Sequence, residues 1–188
     1  MRQAQIFRSA GWLALLLFAL PAWAGKFNPT LNIGDAAPNW EKLPGVDGKQ
    51  HSLADLKDKE VVVVAFTCGS CPTAVDYEDR IKALAKQLDA GGKGALVAIN
   101  ANDTKRAPED TLEAMQQRAK AQEFTFVYLR DDKQTVAKAY GATTTPEFFV
   151  LNKQRKVIYM GALDDKTEPD AVKEKYVEAA IAAALAGR

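Results

Sequence analysis

The stretch "VVVVAFTCGSCPTAVDYEDRI", Val61 to Ile81, holds both cysteines of the chain, Cys68 and Cys71. Val61 to Thr67 is a continuous run rich in β-branched residues, which predicts a strand buried on both faces of a sheet. From Cys71 onward, Ala74, Tyr77, Ile81, Leu84, Ala85 and Leu88 recur at helical spacing, and Gly91-Gly92 ends the element. The two thiols therefore stand where a buried strand hands over to a helix. A helix N-terminus leaves N–H groups without partners and carries about half a positive charge, and both favour thiolate over thiol. On this reading Cys68 lies at the helix start and is the reactive thiol. Cys71, one helical turn further on, faces the interior and attacks the mixed disulfide that Cys68 forms.

What such a pair is for depends on the compartment. The N-terminus reads "MRQAQIFRSAGWLALLLFALPAWAGKF". Arg2 and Arg8 form a positive start, Gly11 to Leu20 an apolar core, and Ala22-Trp23-Ala24 a cleavage site before Gly25. The apolar run is short for a membrane span, which needs about 20 residues. Residues 1–24 are thus expected to be a signal peptide, residues 25–34 a lead segment and residues 35–188 one domain. The expected destination is the periplasm, with no stable membrane insertion after cleavage. No cysteine follows the apolar core to accept a lipid. Two cysteines are too few for a disulfide scaffold. A structural bridge closing so short a loop would also remove little unfolded-state entropy.

The whole chain carries 25 basic and 24 acidic residues, for a net charge of +1. Removing a segment with two arginines and no acid leaves it near neutral. Nucleic acid as a partner needs a basic footprint, which is absent.

Elsewhere the pattern alternates. Two short strands are expected near Trp40–Leu43 and Lys49–Ser52, around the turn Val46-Asp47-Gly48. "ALVAIN" (95–100) and "TFVYLRD" (125–131) read as strands, separated by a helix from Pro108 to about Gln122. A short helix from Lys133 to Tyr140 precedes "EFFVLN" (147–152) and "KVIYMG" (156–161), a hairpin around Lys153-Gln154-Arg155. A last amphipathic helix starts at Thr167 or Glu168. This is an α/β domain with a parallel portion and an antiparallel edge.

"YGATTTPEFFVLN" places Thr145-Pro146 directly before an apolar strand. A strand and helix around Cys-x-x-Cys, with Thr-Pro downstream before a hairpin, resembles the thioredoxin-like superfamily. The resemblance implies a central mixed sheet flanked by helices, with an N-terminal β-hairpin. Residues 33–66 are similar to the N-terminal hairpin of exported redoxins, both periplasmic thioredoxin-like reductases and the alkyl hydroperoxide reductase/thiol-specific antioxidant group. Phrases at Phe66–Pro72, Tyr77–Ile81, Pro108–Ala119 and Ala137–Phe149 resemble one thioredoxin-like subgroup. The resemblance implies catalytic roles for Cys68 and Cys71. It also implies a cis Pro146 packed on the dithiol, with the backbone of Thr145 left to pair with substrate.

The departures bear on mechanism. Thr67 replaces the tryptophan usual before the first cysteine, and Gly69-Ser70 the usual Gly-Pro. Val62 stands where thioredoxins keep a buried acid. The proton acceptor for Cys71 is left open among Glu109, Asp110 and Asp131.

The expected activity is thiol–disulfide exchange with protein thiols and disulfides. No organic cofactor is implied, since the dithiol carries two electrons itself. The direction of exchange stays open, as does a membrane protein that donates or accepts the electrons.

Two alternatives fit the residues less well. A thiol peroxidase with Cys68 as peroxidatic cysteine would need Pro-x-x-x-Thr-x-x-Cys and an arginine, but Thr67 is adjacent to Cys68 and no proline lies in the preceding strand. A Cu(I) chaperone could use two thiolates, but no methionine or histidine pattern supports it. No metal site is expected, as the motif and His51 together supply at most three ligands. His51 reads as a surface histidine, and Trp40, Tyr77, Phe148 and Phe149 as core aromatics.

Overall fold

The structure is a computed structural model, and it describes residues 28–187. The expected signal peptide, 1–24, and the first residues of the lead segment lie outside the described residues. Val61–Phe66 forms strand β3, and every one of its side chains is buried. An all-apolar strand of this kind needs cover on both faces, and it sits at the centre of a five-stranded sheet.

The flanking elements follow in chain order. Leu43–Pro44 (β1) and Gln50–His51 (β2) precede β3, and Pro72–Asp76 (α1) and Glu78–Gly91 (α2) follow it. Next come Gly94–Asn100 (β4), Leu112–Ala121 (α3), Val127–Arg130 (β5) and Thr135–Tyr140 (α4). Glu147–Leu151 (β6), Val157–Gly161 (β7) and Tyr176–Leu185 (α5) complete the chain. The sheet order is β5-β4-β3-β6-β7, with β3, β4 and β5 parallel and β6 and β7 antiparallel to their neighbours. The expected mixed α/β architecture is therefore present.

Strand alternation sorts the core into two layers. Val61, Val63 and Ala65 face one layer with Ile81, Leu84 and Leu88 of α2 and Val177 and Ile181 of α5. Val62, Val64 and Phe66 face the other, with Trp40 and with Val136 and Tyr140 of α4. Trp40, Tyr77, Phe148 and Phe149 are all buried core aromatics. The β1–β2 hairpin lies against β5, where Val46 N–H donates to Tyr128 O at 3.0 Å. It thus covers an edge that would otherwise present unpaired backbone groups.

Several boundaries are shorter than the apolar patterns predict. The N-terminal hairpin keeps two residues per strand instead of four. The helix expected from Pro108 begins as a single 3-10 turn, Pro108–Asp110. There Thr111 turns extended and caps α3, its hydroxyl accepting from Ala114 N–H at 3.3 Å. At the C-terminus the helix expected from Thr167 does not start until Tyr176. Asp165 holds the intervening chain back, with Oδ1 accepting from Lys173 and Glu174 N–H at 2.9 and 3.0 Å. His51 is half-buried, and its Nε2 lies 3.0 Å from Asp47 Oδ1.

Candidate active site

β3 ends at Phe66, and Thr67 N–H still donates to Ile99 O at 3.0 Å as the chain leaves the sheet. The next helix does not begin at Cys68. It begins at Pro72, with Cys71 as the N-cap in an extended conformation, φ −92° and ψ 116°. Proline causes this directly: it suits the first helical position, where no N–H is needed, and it drives the preceding residue out of helical geometry. The expectation that Cys68 opens the helix and Cys71 lies one turn inside is therefore corrected. Cys68 is only 2% exposed, whereas Cys71 is half-buried.

Both cysteines are free thiols, and both converge on Thr145. Cys68 Sγ lies 3.4 Å from Thr145 Oγ1, and Cys71 Sγ–H donates to Thr145 O at 3.4 Å. Thr145 sits just before β6, and the Thr145–Pro146 peptide is cis. The central position of β3 brings these segments together, because β6 pairs with β3 antiparallel and Glu147 lies opposite Phe66. Beside Thr145 a cavity of about 340 Å³ opens, bounded among others by Phe66, Asn102, Thr143 and Thr144.

Behind the cysteines lies a network no motif announced. Asp110 is fully buried and accepts four hydrogen bonds. Its Oδ1 accepts from Gly69 N–H at 2.8 Å and from Asn100 Nδ2 at 2.9 Å. Its Oδ2 accepts from Ser70 Oγ at 2.5 Å and from Asn102 Nδ2 at 2.9 Å. Burial works against ionisation of Asp110, but the donors of Ser70, Asn102, Asn100 and Gly69 outweigh it and hold the carboxyl below the usual carboxylate range. Both residues between the cysteines are thus gripped by one carboxylate. Gly69-Ser70 carries no proline to stiffen it, so the carboxylate supplies the restraint.

The other two acids left open at the sequence level stand apart from the thiols. Glu109 is exposed. Asp131 caps α4, accepting from Thr135, Val136 and Ala137 N–H at 3.1, 2.9 and 2.9 Å. Val62 is a core residue.

The surroundings of Cys71 favour its thiolate. Burial raises the thiol, but the amides of Ala74 and Thr73 and the side chains of Thr145 and Thr73 more than offset it, so it titrates below an ordinary cysteine. Tyr128 stands behind Asp110, its hydroxyl accepting from Asn100 Nδ2 at 3.4 Å. Burial, together with the nearby Asp110, pushes this phenol well up. Arg118 passes close to Gly69, where a Cβ would meet its Cδ at 3.3 Å. Its guanidinium is engaged, Nε and Nη2 donating to Glu78 at 2.6 and 2.9 Å. Ser70, Asn100, Asn102 and Arg118 were missed by sequence reasoning. The one available signal was the density of Asn and Asp just after β4.

A five-stranded mixed sheet with a dithiol at the end of its central strand, facing a cis-proline loop, defines a thioredoxin-like fold. The Redoxin family profile matches residues 32–181, and the chain belongs to that family. Among solved structures it is similar to an uncharacterized conserved protein from Geobacillus kaustophilus, at 34% identity over 86% of each chain with a TM-score of 0.78. A hypothetical protein from Sinorhizobium meliloti is 38% identical over 86% of this chain and 88% of that one, with a TM-score of 0.74. A putative thioredoxin from Neisseria meningitidis is 25% identical over 81% and 92% of the two chains, with a TM-score of 0.62. No protein of curated function matches the chain significantly. Family and fold together make this a thiol redox enzyme.

Proposed function

We propose that the protein is an exported thiol–disulfide oxidoreductase that exchanges disulfides with protein substrates through Cys68 and Cys71. The observation that carries this reading is the convergence of two free thiols on Thr145, each 3.4 Å from one of its oxygens. In the reducing direction, one sulfur attacks a substrate disulfide and forms a mixed disulfide. The second sulfur displaces the remaining substrate thiol and leaves the Cys68–Cys71 disulfide. Two electrons pass to the substrate, and an external dithiol restores the enzyme. Thr145 and the cavity beside it offer an extended substrate backbone a place to pair.

The engagement of Arg118 by Glu78 favours exchange over peroxide reduction, because the guanidinium beside Gly69 is already paired and is not free to polarise a peroxide. We place the activity in the periplasm on the strength of residues 1–24, with protein thiols and disulfides as substrates. A membrane protein would be the electron donor or acceptor.

The test compares two activities under dithiothreitol. Insulin or a small disulfide should be reduced faster than hydrogen peroxide is consumed, and both activities should vanish when the two cysteines are replaced. Peroxide turnover well above the rate of free dithiothreitol would instead make the protein a peroxidase.

A further inference from the structure

We propose that Cys71 is the thiol that attacks substrate and Cys68 the thiol that resolves the mixed disulfide, with Asp110 and Ser70 relaying the proton of Cys68. This order rests on the exchange activity proposed above and reverses the one the motif suggests.

The first argument is access. A substrate disulfide has to approach the attacking sulfur in line from solvent. Cys68 is 2% exposed, whereas Cys71 at the helix N-cap is half-buried.

The second argument is the polarity of the hydrogen bonds around each sulfur. Ser70 Oγ lies 2.5 Å from Asp110 Oδ2 and 3.6 Å from Cys68 Sγ, and it has one proton to give. The carboxylate takes it, being both nearer and charged. With that proton committed to Asp110, Ser70 Oγ accepts from Asn102 Nδ2 at 3.0 Å and turns a lone pair, not its proton, toward Cys68 Sγ, which also has Thr145 Oγ1 at 3.4 Å. Cys68 therefore meets an acceptor tied to an anion. Cys71 has one acceptor, Thr145 O at 3.4 Å, against several donors: the amides of Thr73 and Ala74 and the side chains of Thr73 and Thr145. One sulfur is set up to hold a negative charge, the other to give up a proton on demand.

The two steps balance. The Cys71 thiolate attacks one sulfur of R–S–S–R′, the S–S bond breaks, and R′S⁻ leaves and takes a proton from water. Cys68 Sγ then attacks Cys71 Sγ. Its proton moves to Ser70 Oγ while the Ser70 proton moves to Asp110 Oδ2. The bond from Cys71 to R–S breaks, RS⁻ leaves, and the Cys68–Cys71 disulfide forms. The dithiol has lost two electrons and the substrate has gained them. Asp110 passes its proton on to the departing thiolate or to water. A carboxyl held below the usual range returns a proton readily, which suits a relay better than a store.

Ser70 touches the reacting sulfur of Cys68 and is catalytic in the resolving step, whereas Asp110 acts through Ser70 and is a positioning residue. The test uses the reduced full-length protein with its signal segment removed. A brief pulse of limiting iodoacetamide near pH 7, followed by peptide mapping, should label Cys71 at least about tenfold over Cys68. With oxidised glutathione as the probe, Cys68→Ser should accumulate a mixed disulfide on Cys71, whereas Cys71→Ser should accumulate none. Ser70→Ala and Asp110→Asn should slow resolution of that mixed disulfide about tenfold and move its pH profile upward. Labelling of Cys71 should stay within about twofold in both variants, which a general loosening of the loop would not allow. Should Asp110→Asn fail to fold, Ser70→Ala alone decides.

Labelling of Cys68 first, or a mixed disulfide captured on Cys68 in Cys71→Ser, overturns the order. Unchanged resolution in Ser70→Ala overturns the relay. A wild-type protein that reduces no disulfide removes the exchange reading itself, an outcome separate from the other two.

Discussion

Two buried aspartates, Asp110 and Asp164, show how differently one fold uses the same group. Asp164 lies beyond β7 and is compensated by charge: Arg80 Nη1 donates to its Oδ2 at 2.6 Å, and Tyr77 Oη to its Oδ1 at 3.2 Å. The same guanidinium stacks on Tyr77, 3.7 Å from the ring centroid, and donates to the carbonyls of Lys166 and Thr167. This network ties α2 to the 164–167 loop and touches no thiol. Asp110 is satisfied by four neutral donors and no salt bridge among the described residues. Its charge is left to act on the loop between the cysteines. A buried carboxylate paired with arginine anchors the chain, and one solvated only by amides and a hydroxyl keeps a field that chemistry can use.

The largest effect that would test this contrast is on folding. Asp164→Ala strands the Arg80 charge and should cost about 3 kcal/mol in urea denaturation. The selectivity of cysteine labelling in the folded protein should stay as in wild type. A change in that selectivity would mean that the two networks communicate. Next in size, Asp110→Ala leaves four donors without an acceptor, that of Asn100 fully buried and the others partly so, and should cost about 2 kcal/mol. In this variant alone of the two, the preference for Cys71 over Cys68 should widen, because Cys68 loses the acceptor for its proton, read by the same peptide mapping.

The acid limb of stability gives a third comparison. Asp110 titrates lower in the folded chain than the 3.8 of an unperturbed aspartate, so the unfolded state binds its proton more readily. Its contribution is fully present above that value and is lost as the pH falls through the folded one. Replacing Asp110 by Asn should therefore flatten the loss of stability below pH 3.8, measured by urea midpoints at successive pH values.

The smallest effect belongs to Thr145→Val. It removes a hydroxyl that favours the Cys71 thiolate and should cost about 1 kcal/mol or less in stability. The pH midpoint of Cys71 alkylation should move upward. No movement would show that Thr73 and the amides of Thr73 and Ala74 set the thiolate without Thr145.

Much of the fold was legible because it is built from local periodicity. The run Val61–Phe66 predicts the central strand, and the i, i+3, i+4 spacing from Ala74 to Leu88 predicts the helices that cover it. Apolar patterns do not mark where backbone donors find caps, and this is why the ends of the Pro108 and Thr167 helices were misplaced. Thr111 and Asp165 set those ends through side-chain acceptors. One part of the site was legible and went unread. Pro72 alone excludes Cys71 from helical geometry, so the order of the cysteines along the helix could have been taken from Cys-Pro.

By itself the sequence determined that a dithiol ends a buried strand of an α/β sheet and that a Thr-Pro segment precedes a later strand. Both follow from residue type and spacing over short stretches of chain. Only the tertiary structure decided which of three acids serves the loop, and that Ser70, Asn100 and Asn102 join it. Ser70 and Asp110 are separated by 40 positions and Cys68 and Thr145 by 77. They meet because β3 is flanked by β4 and β6, so the segments that follow β4 and precede β6 arrive at the same end of the sheet as the cysteines. A contact between chain segments so far apart is a property of strand order, and strand order is set by how the whole apolar surface is buried.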